Sequence, residues 1–271
     1  MSTPSPLLLR ALGDCADGLT AEVYDTLEST NTLAKSRACE DTPALYIART
    51  QTGGRGRLGR SFHSPTGTGL YMTVAYTTSR PLTEAVRVTA AAAVAALSAV
   101  EALTRKHPSV KWVNDIYLDG CKIGGILTEA VSRADGYSRM AVGLGLNLTT
   151  TDFPDDLRAP ASCLFAKEAP PADMTAFADT LAGEITRRLL ELVEASPTCP
   201  FAEGMWGEAC LDYYRRHLLY IGESVVCTRG TEGFEGIALG VDSDYALLVA
   251  VNGETLTLSS GEISLRPVKK T

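Results

Sequence analysis

Gln51-Thr-Gly-Gly-Arg-Gly-Arg-Leu-Gly-Arg-Ser-Phe62 is the stretch from which the rest of the chain is read. Arg49, Arg55, Arg57 and Arg60 fall within twelve positions and no acidic residue lies among them. Residues 51–69 hold five glycines before Gly69 and one proline, so the span is a loop and not a regular element. The chain as a whole carries 25 Lys and Arg against 32 Asp and Glu, a net charge of −7. A guanidinium cluster in an acidic chain is a local reversal of sign and a candidate anion site. Glycines let backbone N–H groups approach an anion closely, and arginine adds bidentate contacts to phosphate or carboxylate. Gly54, Gly56 and Gly59 also satisfy G-x-G-x-x-G, and Gly54 to Ser61 satisfies a P-loop with Arg60 in place of the lysine. Both patterns need a helix immediately afterwards, with its N-terminus facing the phosphates. The sequence continues S-F-H-S-P-T-G-T-G, which forms no helix, and the next acid after Asp41 is Glu84. A dinucleotide fold expects a ribose-binding acid about twenty residues on. A Rossmann or P-loop fold is therefore excluded, and an anion-binding loop between strands remains.

Outward from this loop, the elements alternate. Strands are read at 21–27, 44–50 and 70–77, and a short helix runs from Ser29-Thr30-Asn31 to about Ala38. Pro81 opens a long helix to about Lys106. Residues 110–147 contain several β-rich runs, and helices follow at 173–194 and 200–216. From Ile221 five short β-rich runs are separated by turn signals, and Asn252-Gly253 marks a two-residue hairpin. The pattern is α+β, with a small β-barrel appended to a larger domain. A length of 271 residues fits one large domain with a small one, and 45% hydrophobic with 21% charged residues is an ordinary globular composition.

Composition also excludes. An acidic chain with a pI near 5.1 is a poor general binder of nucleic acid, and no nucleic-acid partner is expected. Seven cysteines, with no C-x-x-C, read as reduced thiols in a cytoplasmic protein. His63, His107 and His217 form no ligand cluster, so no protein-only metal site is expected. No signal peptide is read at M-S-T-P-S-P. The apolar stretch between Arg87 and Glu101 falls short of the ~20 residues that cross a bilayer, so it reads as a buried helix and no membrane partner is expected.

The loop and four further segments carry a resemblance. Gly54–Arg60 is similar to the G-R-G-R-x-G-R loop of biotin protein ligases. In the same order, Ser29-Thr30-Asn31 resembles the family's S-T-N, and Lys111-Trp-Val-Asn-Asp115 its K-W-P-N-D with valine in place of proline. Lys122-Ile-Gly-Gly-Ile-Leu-Thr-Glu129 resembles K-x-x-G-I-L-x-E, and Gly143-Leu-Gly-Leu-Asn147 resembles G-x-G-x-N. Gly261-Glu-Ile-Ser-Leu-Arg266 is similar to the family's terminal β-domain, so the resemblance spans about residues 22–267. It implies a mixed-sheet, class II synthetase-like catalytic domain at 1–218 and an SH3-like β-barrel at 219–271. It implies an ATP-dependent, AMP-forming ligase that makes biotinyl-adenylate and transfers biotin to a lysine of a biotin carboxyl carrier domain.

The implied site residues follow by match. Ser29, Thr30, Asn31 and Gln51 would meet the biotin ureido group with neutral donors and acceptors. For Ser29-Thr30-Asn31 helix capping is the competing role. Arg55, Gly56 and Arg57 would hold biotin and its carboxyl, and Arg57 and Arg60 the phosphates. Lys122 would contact carboxylate and α-phosphate, against the commoner fate of a strand-end lysine in water; with Arg55 and Arg57 it forms the expected catalytic set. Trp112, Asn114 and Asn147 would bind the adenylate, although Trp112 equally suits core packing. Asp115 would serve Mg²⁺, which rides on phosphate with one or two carboxylates, or orient the acceptor lysine. Asp152, Asp155 and Asp156 read as a solvated turn. The first strand begins only some twenty residues in, which leaves no room for a DNA-binding helix-turn-helix. A lipoate-type ligase of the same architecture, or a non-catalytic biotin or nucleotide sensor, remain as alternatives, and a monomer or homodimer is left open.

Overall fold

The computed structural model describes residues 2–155, 157, 159–194, 204–229, 232–259 and 263–267. The larger sheet contains β1 (Thr20–Tyr24), β2 (Ala44–Ala48), β3 (Gly69–Thr78), β4 (Ser109–Lys111), β5 (Asp115–Leu118), β6 (Cys121–Ser132) and β7 (Ser138–Asn147). Its order is β1-β2-β3-β7-β6-β5-β4, with β1 and β2 parallel and every other pair antiparallel. The helices are α1 (Pro6–Leu12), α2 (Thr30–Ser36), α3 (Ala85–Thr104), α4 (Met174–Glu194) and α5 (Glu208–Arg216). A second, antiparallel sheet contains β8 (Ser224–Arg229), β9 (Glu232–Val241), β10 (Leu247–Val251), β11 (Glu254–Leu258) and β12 (Ile263–Pro267), in the order β11-β10-β9-β8-β12.

The central strands are buried on both faces, as strands covered by helices on each side must be. Alternation then sorts their side chains. One face carries Met72, Val74, Val142, Leu144 and Ile126, the large apolar residues that join α3 and α4 in the main core. The other carries Thr73, Ala75, Ala141, Gly143 and Gly145, whose small size admits α2 against the sheet. There Ala34 of α2 packs with Ala44, Tyr46, Ala75 and Ala141. The segment Leu82–Thr104 is long and apolar enough to cross a membrane by length and composition, yet 72% of its most apolar window is buried within the protein. It is the core helix expected from the alanine run.

Several sequence expectations shift. Helix α1 was not anticipated; its signal is Ser5, whose hydroxyl caps Leu8 N at 3.2 Å, followed by Pro6 in the first turn. The first strand ends at Tyr24, where the ladder with β2 breaks at residues 25–26 and resumes in the same parallel register as a single Leu27–Gln51 bridge. The expected helix 200–216 is only α5, preceded by a short turn at Gly204–Trp206, and residues 195–203 lie outside the described residues. Asp156, Gly261 and Glu262 also lie outside them.

The second sheet docks on the Lys111–Asp115 turn. The Trp112 indole Nε1 donates to Tyr245 O at 2.8 Å, and Tyr214 OH donates to Val113 O at 3.2 Å. Rings of Tyr214 and Tyr245 meet edge to face at 5.3 Å, and Arg215 Nη2 donates to Val241 O at 3.2 Å. Trp112→Phe keeps the ring packing but leaves the buried Tyr245 carbonyl without its donor. It is expected to cost about 1–3 kcal/mol, read as a lower urea midpoint.

Candidate active site

A cleft opens over the small-residue face of the larger sheet. Its walls are the start of α2, the loop around Arg55–Phe62, the Lys111–Asp115 turn and the start of β6. Its floor includes Gly143 and Gly145. A Cβ on Gly143 would stand 2.2 Å from Asn31 Oδ1, and one on Gly145 2.5 Å from the Phe62 ring. Glycine is therefore required there by the close approach of neighbours.

The inner end is neutral and closely bonded. Asn31 Nδ2 donates to Leu127 O at 3.1 Å and to Glu129 Oε2 at 2.9 Å. Thr73 donates to Asn31 Oδ1 at 2.7 Å and lies 2.8 Å from Thr30 Oγ1. Gln51 Oε1 accepts from Thr30 N at 2.9 Å and from the Thr30 hydroxyl at 3.2 Å, while Gln51 Nε2 donates to Ser64 Oγ at 3.1 Å. Ser29 caps α2 by accepting from Thr32 N, so the capping role is realised and the hydroxyl proton stays available. Simple valence then gives what the group can still offer. Asn31 retains an acceptor lone pair, whereas Gln51 Nε2 and Ser29 retain donors. That set suits a ligand group with both a carbonyl and N–H groups.

The outer end is cationic. Arg55, Arg57, Arg60, Lys111 and Lys122 line the cleft, with Asp115 as the one carboxylate among its lining residues. Lys122 Nζ is 2.6 Å from Asp115 Oδ1, and Lys111 Nζ is 4.0 Å from Asp115 Oδ2. Arg57 Nη1 donates to Asn114 Oδ1 at 3.0 Å, and Asn114 Nδ2 donates to Ile126 O at 3.0 Å. Burial pushes the Arg57 pKa down; the Asp115 charge opposes this and Arg60 reinforces it. A desolvated guanidinium beside other cations is a group that an incoming anion stabilises. Arg55 reaches Glu28 across an exposed pair at 3.3 Å. The loop itself is a short hairpin: Phe62 N donates to Gly54 O at 2.8 Å and Gly56 N to Arg60 O at 2.7 Å. Leu58 sits at its tip with φ 58° and is 54% exposed.

The structure thus brings together Ser29, Thr30, Asn31, Gln51, Arg55, Gly56, Arg57, Arg60, Trp112, Asn114, Asp115 and Lys122. Trp112 packs in the core, as one of its two expected roles has it, lines the cleft, and holds the second sheet through its N–H. Asn147 is not brought to the wall of this cleft: at the end of β7 its amide donates to Ser162 O at 3.1 Å and secures the following segment. Lys111, Phe62 and Thr73 escaped the sequence-based assignment. Lys111 stands four residues before Asp115, a spacing that signals an ion pair, and Thr73 is a polar residue inside an apolar strand. Among the described residues no three His, Cys, Asp or Glu side chains gather as metal ligands.

Comparison with known proteins bears on the family and the fold. Residues 23–147 match the Biotin/lipoate A/B protein ligase family, and residues 220–266 match the Biotin protein ligase C terminal domain. The chain is 29% identical over 246 residues to the bifunctional ligase/repressor BirA of Bacillus subtilis, covering 89% of this chain and 73% of that protein. It is 27% identical over 223 residues to the biotin–[acetyl-CoA-carboxylase] ligase of Mycobacterium tuberculosis, covering 81% of this chain and 77% of that protein. The fold is similar to a biotin protein ligase from Aquifex aeolicus in complex with biotin and ATP, with a TM-score of 0.72 and 23% identity over 92% of this chain and 99% of that one.

Gly143→Ala drives a methyl group into the Asn31 carboxamide. It is expected to cost about 1–3 kcal/mol as the inner network yields, measured by urea denaturation.

Proposed function

The chain belongs to the biotin/lipoate A/B protein ligase family, with a biotin protein ligase C-terminal domain, and on that premise we propose how its cleft joins biotin to a protein lysine with ATP. The carrying observation is a cleft neutral at one end and cationic at the other. The ureido carbonyl of biotin accepts from Ser29 and Gln51, and a ureido N–H donates to Asn31 Oδ1. Such a site rejects ligands without the ureido group, because its buried polar atoms are then left unpaired. The pentanoate carboxylate extends toward Arg55, Arg57 and Lys122.

In the first step a carboxylate oxygen attacks the α-phosphorus of ATP. The bond from that phosphorus to the bridging oxygen breaks, and pyrophosphate leaves. Two anions meet, so fixed cations dominate the catalysis. Lys122 and Arg57 lie between carboxylate and α-phosphate, and Arg60 meets the phosphates. Trp112 and Asn114 flank the nucleotide. Asn147 supports the adenylate side from behind through the 160s segment. A resident Mg²⁺ does not fit the lining side chains, since Asp115 is their one carboxylate and is paired with Lys122; magnesium comes with the nucleotide phosphates. In the second step a lysine amine attacks the mixed anhydride, loses a proton, and AMP departs. Asp115 then orients that amine, and positioning carries most of the rate.

The acceptor is the biotin carboxyl carrier domain of a biotin-dependent carboxylase. Residues 1–218 form the catalytic domain and 219–271 the terminal domain that braces it. The enzyme acts in the cytoplasm as a monomer or homodimer.

Mass spectrometry of a carrier domain incubated with the protein, biotin and Mg-ATP is expected to show one added biotinyl group; an unmodified carrier overturns the reading. Lys122→Ala is expected to lower biotin-dependent pyrophosphate exchange by about 10²-fold or more with an unchanged circular dichroism spectrum. Near-normal exchange removes Lys122 from the catalytic set.

A further inference from the structure

Glu129 lies on β6 opposite Ala141, on the strand face that carries Leu127, and is not among the residues lining the cleft. Its Oε2 accepts from Asn31 Nδ2 at 2.9 Å, and its Oε1 accepts from Lys35 Nζ at 2.5 Å. The second Asn31 N–H goes to Leu127 O at 3.1 Å. A carboxylate and a carbonyl can only accept. Two obligate acceptors on one side leave the carboxamide a single orientation. Its nitrogen faces β6, and its oxygen accepts from Thr73 and packs directly over Gly143, where the lack of a Cβ makes room for it.

The carboxylate is itself held in its charged form. Burial opposes ionisation, but hydrogen bonds from Lys35 and Asn31, with the charges of Lys35 and Arg55, outweigh it and keep the pKa below the usual range. Glu129 therefore remains an acceptor through neutral and mildly acidic pH. Gln51 is fixed differently, by the backbone N–H of Thr30. Of the two cleft amides, Asn31 is the one held by a charged side chain from outside the cleft.

We infer that Glu129, clamped by Lys35, is a positioning residue that turns the Asn31 carboxamide oxygen toward the ureido N–H of biotin, and so sets biotin affinity without touching biotin. The inference rests on the proposed biotin site. Its mark is selectivity, because the nucleotide end of the cleft makes no use of this network. Length matters as much as charge: the acceptor must reach Asn31 from β6.

Calorimetric titration of the full-length chain with biotin alone, and separately with ATP alone, tests it. Glu129→Leu is expected to weaken biotin binding roughly tenfold or more, on the scale of one lost charge-assisted hydrogen bond, and to leave ATP within about twofold. Glu129→Asp keeps the charge and the lysine partner but withdraws by one methylene, and is expected to weaken biotin similarly. Glu129→Gln keeps the reach and an acceptor oxygen, and is expected within about threefold of wild type. Asp and Gln decide the matter even where Leu fails to fold. Wild-type protein that binds no biotin overturns the ligase reading, and this inference falls with it. Biotin binding unchanged in Asp and Leu, or weakened equally in Gln, or lost in parallel with ATP, overturns the positioning role alone.

Discussion

Five cationic side chains share one cleft in a chain of net charge −7, and the fold must hold them together. Like charges at close range repel, and burial of a guanidinium is costly unless it is partnered. The structure answers with interim partners. Asp115 sits between Lys122 and Lys111, Asn114 accepts from Arg57, and Glu28 meets Arg55 at the rim. Asn114 is a neutral amide and the Arg55–Glu28 pair is exposed, so both are weaker partners than a buried anion, whereas Asp115 is a full carboxylate partner for Lys122. These partners hold the cations in defined positions around one cleft, the kind of fixed charge that electrostatic stabilisation requires.

The neutral end obeys a different constraint. Asn31 and Thr30 are buried and Gln51 is half-buried, and each hydrogen bond among them removes a choice of orientation. In the proposed function these groups meet the ureido ring, and specific recognition there needs donors and acceptors that cannot rotate away. Such networks are worth most when every member is satisfied. The glycines at 143 and 145 supply room where the network and the Phe62 ring crowd the sheet. The second sheet contributes indirectly, since Trp112 and Tyr214 tie it to the turn that carries Asn114 and Asp115.

Much of this was legible in the residues. The glycine–arginine loop announced an anion site because glycine and arginine are informative types, and contiguity kept them together. The hairpin signal at Asn252-Gly253 forecast β10 and β11 correctly, since few residues adopt that turn. The buried helix α3 followed from its alanines. Local reading failed where an element was short or a partner distant. Helix α1 is only seven residues long, and its packing against α4 gives it a place no local propensity shows. Thr73 and Glu129 reach Asn31 through contacts that span 42 and 98 residues.

By itself the sequence determined the chemistry on offer: a loop of guanidiniums, a strand-end lysine, a polar Ser-Thr-Asn turn, and an α+β order ending in short strands. Those are properties of residue type and neighbourhood. Only the tertiary structure decided which groups face one another, that Asp115 rather than water holds Lys122, that Trp112 both lines the cleft and anchors a second sheet, and that Asn147 turns to Ser162. The reason is that strand register and sheet order bring together residues far apart in the chain, and a one-residue change of register would send each of them to the opposite face.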